Sequence, residues 1–175
     1  MNNDKLNILL LKILEGDQCS FEILYNETKK GVFSFLYTYF HNYHDTEDAM
    51  QMVYLKIKKG ISTYKPNTNA SAWILQIAKN YALTQLKNQK ENLSLDELSN
   101  TIVDNKQGDF EFYGVTKIIQ SVLSVEEQRI LSLHVLWGYK HREIAKIFNC
   151  PTGTITSKYK RLVAKIKKAL KEGEL

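Results

Sequence analysis

Cysteine and long apolar runs are both scarce in this sequence. The 175 residues include two cysteines, Cys19 and Cys150, which lie far apart and match no metal-binding spacing. We therefore expect reduced thiols rather than a disulfide framework. No apolar stretch approaches the roughly 20 residues that span a bilayer. Charged residues interrupt the early apolar positions, so no signal peptide is predicted, and we expect a cytoplasmic protein.

Proline is as rare as cysteine, and both prolines fall where a helical pattern stops. Pro66 lies in the loop-like stretch 60–71, and Pro151 separates two helical segments. Proline cannot continue a helix and disfavours helical geometry in the residue before it. Through most of the remaining chain, apolar residues recur at three- and four-residue spacing, which predicts helices. The length allows a buried core in one domain or in two small ones.

Charge is unevenly distributed along the chain, although the net charge is only +5. Residues 1–90 carry 11 basic and 8 acidic side chains, residues 91–125 carry 2 and 6, and residues 126–175 carry 11 and 5. The basic excess is therefore greatest in the last third, which favours a polyanionic partner for that part of the chain.

Residues 139–169 have the pattern of two helices joined by a tight turn. A first helix is predicted from about His141 to Phe148, ended by Asn149 and Pro151, and Thr152 is predicted to cap a second helix. Such a pair is typical of a helix-turn-helix, whose second helix enters the major groove; a helical hairpin with a solvated lysine face is the alternative. The second helix has an apolar face of Ile155, Tyr159, Leu162, Val163 and Ile166, and an opposite face of Thr156, Ser157, Lys158, Lys160, Arg161, Lys165 and Lys168.

Three predicted helices precede residue 60. The first covers residues 4–16 and ends at Gly16, and Ser20 is predicted to cap the second, whose apolar and aromatic face we assign to the core. After a polar break at 41–44, Asp45 is predicted to cap the third. Simple capping chemistry would explain the acidic residues at its start. The third helix is expected to turn Ala49, Met52, Val53 and Ile57 inward, which leaves Glu47, Asp48, Gln51 and Tyr54 as an exposed strip.

A fourth helix is predicted at residues 71–89, after the loop that contains Tyr64. It is expected to bury Trp73 and to expose Gln76, Lys79, Asn80, Thr84 and Lys87. Tyr64 and Trp73 fit two roles equally well, which are stacking on an unpaired base and filling the core.

Residues 90–111 are polar, acidic and without periodicity, which predicts a flexible linker. Helices are predicted again at residues 112–123 and, after a Ser124 cap, up to Gly138. The fold expected is therefore all-α, with a helical domain at 1–89, a linker at 90–111 and a helix-turn-helix domain at 112–175.

With this organisation, the chain resembles the bacterial sigma-70 family of RNA polymerase sigma factors, of the small extracytoplasmic-function type. The resemblance depends on DTEDAMQMVYLKI at 45–57 with WILQIAKNYAL at 73–83, similar to the family's region 2 bundle, and on LSVEEQRILSLHVLWGYKHREIAKIFNCPTGTITSKYKRL at 123–162, similar to region 4. Together with their flanking helices, these blocks cover nearly the whole chain except the linker.

The resemblance implies an alternative sigma factor that directs core RNA polymerase to promoters, opens the DNA and starts transcription. It implies contacts with the clamp helices of the largest polymerase subunit through Asp45, Glu47, Asp48, Gln51, Val53 and Tyr54, and with the flap region of the second-largest subunit. The minus-ten element would contact Tyr64, Asn67, Asn69, Trp73, Lys79, Asn80, Thr84 and Lys87. The minus-thirty-five element would contact Thr152, Thr154, Thr156, Ser157, Lys158, Lys160 and Arg161.

Four positions depart from common family residues. Thr84 and Lys87 replace an aspartate and an arginine, and Thr156 and Lys158 replace basic residues of the reader helix, often arginine at the second. Lysine lacks the bidentate fork of arginine, which weakens any expectation of guanine-directed readout.

Two other functions compete with this interpretation. A stand-alone helix-turn-helix regulator would leave residues 45–57 unexplained. A metal-dependent nuclease would use His41, His44, Asp45 and Asp48, but no second carboxylate cluster completes such a site. We therefore expect no enzymatic activity, no metal and no cofactor. The resemblance, with the acidic linker, also implies an anti-sigma factor that covers the polymerase-binding surfaces.

Overall fold

The protein is all-α in the part of the chain that the computed structural model describes, which is residues 2–93, 115 and 119–171. It divides into two compact units, Met1–Asp104 and Asn105–Leu175. The described helices of the first unit are α1 (Asn3–Leu14), α2 (Gln18–Phe40), α3 (Tyr43–Gly60) and α4 (Ala70–Leu93), with a 3-10 turn at Ile61–Thr63. Those of the second are α5 (Val125–Val135), α6 (His141–Ile147) and α7 (Thr152–Lys171).

The first unit is a bundle in which α2 packs against each of the other three helices. Its core is formed by the apolar faces that the three- and four-residue spacing predicted, because burying one stripe of each helix removes apolar surface from water. The largest fully buried side chains are Leu6, Leu10, Leu24, Val32, Leu36, Val53, Ile57 and Ile74.

The caps of α2 and α3 differ from the predicted ones. Asp17 caps α2 by accepting from the Cys19 N–H, and the buried Ser20 hydroxyl donates to Asp17 at 2.7 Å. Asn42 caps α3, and its Oδ1 accepts from the backbone N–H of Asp45 at 3.1 Å. The predictions of Ser20 and Asp45 as caps were therefore wrong by three residues each, since an earlier Asp or Asn takes the same role.

The second unit contains the predicted helix-turn-helix. Ser124 caps α5 in a capping box with Glu127, as the sequence predicted. After α6, Asn149 adopts a left-handed conformation with φ of 49°, which a short polar side chain tolerates, and the chain turns into α7. Thr152 is the first residue of α7 rather than its cap, so the predicted capping role was wrong. The core contains Ile130, Leu133, Trp137, Ile144, Ile155 and Leu162.

The predicted linker and the helix after it fall mostly outside the described residues. Helix α4 continues to Leu93, four residues into the predicted linker, and residues 94–111 are not described. Of the predicted helix at 112–123, the described residues Val115 and 119–122 are helical, while 112–114 and 116–118 are not described. The linker therefore stays a prediction.

Candidate partner and nucleic-acid surfaces

Helix α3 presents a mixed acidic and apolar stripe to solvent. Asp48, Gln51, Met52 and Leu55 are exposed and follow the three- and four-residue spacing of a single helix face. The buried residues of α3, among them Ala49 and Ile57, occupy the opposite face. We call Asp48, Gln51, Met52 and Leu55 the α3 stripe. Exposed methionine and leucine beside acidic and amide groups are suited to a partner surface that is both basic and partly apolar.

On α3, Val53 lies in the core as its spacing predicted, which contradicts the polymerase contact that the resemblance implied for it. Tyr54 and Met52 each occupy the environment opposite to the predicted one. Val53 is fully buried and Tyr54 is 4% exposed, so neither belongs to the α3 stripe. The Tyr54 hydroxyl lies 2.6 Å from Thr28 Oγ1 on α2, and burial raises the pKa of this tyrosine. Met52, expected in the core, is 42% exposed. Leu55, which sequence reasoning missed, is 49% exposed and lies seven residues after Asp48, a spacing that could have revealed it.

Asp45 and Glu47 lie at the edges of the α3 stripe. Both are half-buried, and Glu47 accepts a hydrogen bond from the Tyr43 hydroxyl at 2.8 Å. His44 Nε2 lies 3.8 Å from Asp48 Oδ2 in an exposed i,i+4 pair. Within the described residues, no three His, Cys, Asp or Glu side chains are placed to hold a metal ion.

Helix α1 holds the loop between the 3-10 turn and α4. The Asn7 Nδ2 group donates to the Thr68 carbonyl at 3.1 Å, and Asn7 Oδ1 accepts from the Tyr64 hydroxyl. The side chain of Asn3 accepts from the Ser71 N–H at 3.2 Å. Sequence reasoning missed this role of α1, because two polar residues on an apolar helix indicate nothing about their partners.

A groove of about 510 Å³ lies between α3, the 3-10 turn and α4. It contains three of the predicted minus-ten residues, Trp73, Asn80 and Thr84. On its α3 side, Lys56 Nζ lies 5.9 Å from the centre of the Tyr81 ring. The remaining lining residues, which sequence reasoning missed, are Met52, Lys56, Gly60, Thr63, Ile77, Tyr81 and Gln85. Such a lining combines aromatic surface, amide and hydroxyl groups and one cation, which suits a nucleotide base with its phosphate.

The other predicted minus-ten residues lie outside this groove. Tyr64 is 3% exposed and packs edge-on against Trp73 at 5.2 Å, so its expected stacking on a base is wrong and the core alternative is confirmed. Asn69 accepts from the Ala72 N–H at 2.9 Å at the start of α4. Asn67 is exposed with φ of 59°. Lys79 and Lys87 are exposed but do not line the groove.

The outer face of α7 carries the predicted reader residues. Ser157, Lys160 and Arg161 are exposed, as are Thr152 and Gly153 in the first turn. Thr154, Thr156 and Lys158 are half-buried at the edges of this face. A depression of about 450 Å³ beside the turn is lined by Arg142, Ala145, Lys146, Asn149, Cys150, Pro151 and Thr152, which adds two cations next to the first turn of α7.

Two lysines of α7 are paired with glutamates at the start of α5. Lys158 Nζ lies 2.6 Å from Glu126, and Lys165 Nζ lies 2.8 Å from Glu127. Burial opposes ionisation of Glu127, but the hydrogen bonds from Lys165 and Ser124 outweigh it, so the pKa of this carboxyl is lowered. The pairs connect the reader helix to α5, which the sequence did not predict because the partners lie more than 30 residues apart.

Three aromatic rings meet between α5, α6 and α7. His134, His141 and Tyr159 have ring centres 4.6 to 5.0 Å apart. His134 Nδ1 lies 2.8 Å from the Tyr139 carbonyl, and His141 Nδ1 lies 3.2 Å from Thr156 Oγ1. Burial, and secondly the neighbouring His134, lower the pKa of His141. His141 was not among the predicted site residues, although it begins the helix that precedes the reader.

None of the helices within the described residues has both the length and the apolarity that crossing a bilayer requires.

Comparison with known proteins identifies the family. Residues 24–91 match the family described as Sigma-70 region 2, and residues 121–166 match Sigma-70, region 4. The ECF RNA polymerase sigma factor SigW of Bacillus subtilis is 24% identical over 177 residues, covering 92% of this chain and 94% of the relative. The ECF RNA polymerase sigma-E factor of Escherichia coli K12 is 25% identical over 170 residues, covering 86% of each.

Solved structures share the fold. CnrH, in complex with the cytosolic domain of CnrY, matches with a TM-score of 0.61 at 15% identity, over 96% of this chain and 98% of CnrH. RpoE of Bartonella quintana, in complex with the anti-sigma factor NepR, matches with a TM-score of 0.58 at 19% identity, over 80% of this chain and 89% of RpoE. With both regions present in the expected order, the chain belongs to the sigma-70 family and is an alternative sigma factor of the extracytoplasmic-function type that directs transcription initiation with RNA polymerase.

Proposed function

We propose that the α3 stripe is the main contact of this sigma factor with core RNA polymerase, at the clamp helices of the largest subunit. The observation that carries this proposal is the exposed arrangement of Asp48, Gln51, Met52 and Leu55 on one face of α3. Asp45 and Glu47 add negative charge at its edges, whereas Val53 and Tyr54 support the stripe from the core. We also propose that the second unit contacts the flap region of the second-largest subunit.

The groove beside α4 is proposed to hold an unpaired base of the minus-ten element. Trp73 provides an aromatic surface, and the Asn80 side chain provides an amide with both a donor and an acceptor. Lys56 on the α3 wall, 5.9 Å from the centre of the Tyr81 ring, is proposed to contact the neighbouring phosphate. Unstacking a base costs a few kcal/mol, which stacking and edge hydrogen bonds in such a groove offset. Lys79, Lys87 and Asn67 are proposed to contact the backbone outside the groove.

The outer face of α7 is proposed to read the minus-thirty-five element. Thr156, Ser157 and Arg161 are assigned to base edges. Lys160 and the backbone near Thr152 and Thr154 are assigned to phosphates, since the first turn of a helix offers N–H groups to anions. Lys158 reaches phosphate only if it leaves Glu126.

The proposal also includes how the protein is regulated and where it acts. RpoE is solved with an anti-sigma factor, and by analogy an anti-sigma factor is proposed to cover the α3 stripe in this protein. A protein that works with RNA polymerase acts in the cytoplasm, and no catalytic activity of its own is proposed.

The test is a titration of purified core RNA polymerase with the full-length protein and two double variants. Asp48→Arg with Gln51→Ala alters the α3 stripe, and Glu22→Arg with Gln18→Ala makes the same changes at exposed positions on α2. We expect the first to bind core polymerase at least about tenfold more weakly and the second to bind like wild type. Equal binding by all three would overturn the assignment of the α3 stripe, and DNA binding without any polymerase binding would favour a stand-alone regulator.

A further inference from the structure

The hydroxyl of Thr156 is held by two polar groups inside the helix-turn-helix. Its oxygen lies 3.1 Å from the backbone carbonyl of Thr152, one turn earlier on α7. It also lies 3.2 Å from Nδ1 of His141, the first residue of α6. A carbonyl oxygen only accepts hydrogen bonds, so the bond to Thr152 requires that the Thr156 hydroxyl donate its single proton there. His141 Nδ1 must then donate its own proton to the Thr156 oxygen.

The surroundings of His141 favour this direction of the hydrogen bonds. Its other ring nitrogen, Nε2, is buried and finds no hydrogen-bond partner among the described residues. Burial lowers the pKa of His141, which favours the neutral ring, and a neutral imidazole carries a proton on only one nitrogen. Buried N–H groups without an acceptor are rare in native structures, and buried acceptors without a donor are somewhat less rare. The proton therefore belongs on Nδ1, where Thr156 accepts it.

We propose that His141 is a positioning residue that makes Thr156 a hydrogen-bond acceptor toward DNA, so that this reader position selects a base with an amino group in the major groove. With its proton committed to Thr152 and one lone pair to His141, the oxygen has one lone pair left for DNA. Adenine N6 and cytosine N4 offer donors in the major groove, whereas guanine and thymine offer only acceptors to a side chain there. The inference rests on the proposed reading of the minus-thirty-five element by α7.

The first experiment measures binding of the complete complex, with core polymerase, to promoter DNAs that carry each base at each position of the minus-thirty-five element. At one position we expect adenine or cytosine to bind roughly 2- to 12-fold more tightly than guanine or thymine, the range of a single neutral hydrogen bond. Thr156→Val should remove the preference at that position alone. Thr156→Ser, which retains the hydroxyl, should retain it.

The second experiment tests His141 through the same preference. His141→Phe should reduce the preference at that position, and His141→Asn should restore most of it, because its amide nitrogen lies near the place of Nδ1. His141→Gln places the same amide one methylene further and should not. Thermal unfolding of each variant separates loss of folding from loss of readout.

The outcomes separate this inference from the function on which it rests. If no base of the minus-thirty-five element affects binding, the proposed reading by α7 fails, and the inference fails with it. If a base preference exists but survives in Thr156→Val, or favours guanine or thymine at the Thr156 position, the reading stands and the inference is overturned. If the base preference persists in His141→Phe, His141 has no positioning role, while Thr156 keeps its assignment as the acceptor.

Discussion

The side chain of Tyr54 shows how a distant partner determines whether a tyrosine belongs to the core or to a surface. Tyr54 follows the exposed residue Met52 by two positions and lies at the edge of the buried face of α3. The Thr28 hydroxyl donates to the Leu24 carbonyl at 2.6 Å, which leaves its oxygen free to accept from the Tyr54 hydroxyl. A buried hydroxyl with a partner avoids most of its desolvation cost, so the ring can fill the core between α2 and α3.

The substitution Tyr54→Phe tests this assignment. It removes one buried hydrogen bond but keeps the ring contacts with Phe21 and Tyr25. We expect a loss of about 1 kcal/mol in the free energy of unfolding, measured by urea denaturation. Affinity for core polymerase should stay at the wild-type value, because the hydroxyl does not reach the surface. A variant of wild-type stability with weakened polymerase binding would place Tyr54 back in the contact surface.

For individual residues, the sequence predicted the exposure of charged and amide side chains better than that of tyrosine and methionine. Asp48, Gln51, Asn80 and Arg161 are exposed as predicted, because polar side chains opposite an apolar stripe seldom find buried partners. Tyrosines and methionine were placed wrongly or left open, since both residue types pack well on either side of such a boundary. The partners that settle Tyr54 and Tyr64 come from α2 and α1, and helical spacing contains no information about them.

At the scale of the elements, α1 acts as a support for the loop that precedes α4. Its apolar face packs against α2 and α4, which fixes the position of Asn7 relative to the loop. Asn7 then satisfies the Thr68 carbonyl and the hydroxyl of the buried Tyr64. Because Tyr64 packs on Trp73, the contacts of α1 extend to one wall of the groove. The shape of the groove thus depends on a helix that does not line it.

Changes at Asn7 should therefore reduce promoter opening without affecting polymerase binding. Asn7→Ala removes these two hydrogen bonds and a third to the Asn3 carbonyl. It leaves the Tyr64 hydroxyl without its acceptor, for which we expect a cost of about 1–3 kcal/mol in stability. Asn7→Asp retains the acceptor for Tyr64 but cannot donate to Thr68, and should cost less. Unpaired thymines in the minus-ten element, detected by permanganate in complexes with core polymerase, measure opening. Normal opening by a folded Asn7→Ala variant would contradict this role of α1.

The helices themselves were largely predictable, whereas their caps were not. Apolar spacing located each described helix within a few residues of its observed bounds, since that spacing is also what packing requires. Several capping residues compete near each helix start, as Asp17 does with Ser20 and Asn42 with Asp45, and the choice depends on where the preceding turn ends. The continuation of α4 to Leu93 was missed because polar residues there gave no stripe.

For the whole molecule, the distribution of charge is more informative than its sum. The net charge of +5 conceals a basic excess in the last third, which holds the reader helix α7. Part of that excess is already compensated within the second unit, because Glu126 and Glu127 hold Lys158 and Lys165. The charge count in the sequence therefore overstates the number of cations available to phosphates. Lys160 and Arg161 lie on the exposed face.

Substitution of Glu126 should release Lys158 to the DNA. An exposed ion pair contributes at most about 1 kcal/mol, so Glu126→Gln is expected to change stability little. The freed lysine would then neutralise one more phosphate, which steepens the dependence of log K on log salt by up to about 1 unit and tightens binding several-fold at low salt. Filter binding of the polymerase complex to promoter DNA over a salt series measures both the salt dependence and the affinity at low salt. Glu15→Gln makes the same charge change at an exposed position of the first unit and should leave the slope unaltered. Weaker binding by Glu126→Gln would instead mean that Glu126 orients Lys158 toward DNA, because a lysine held in place for phosphate loses affinity when its support is removed.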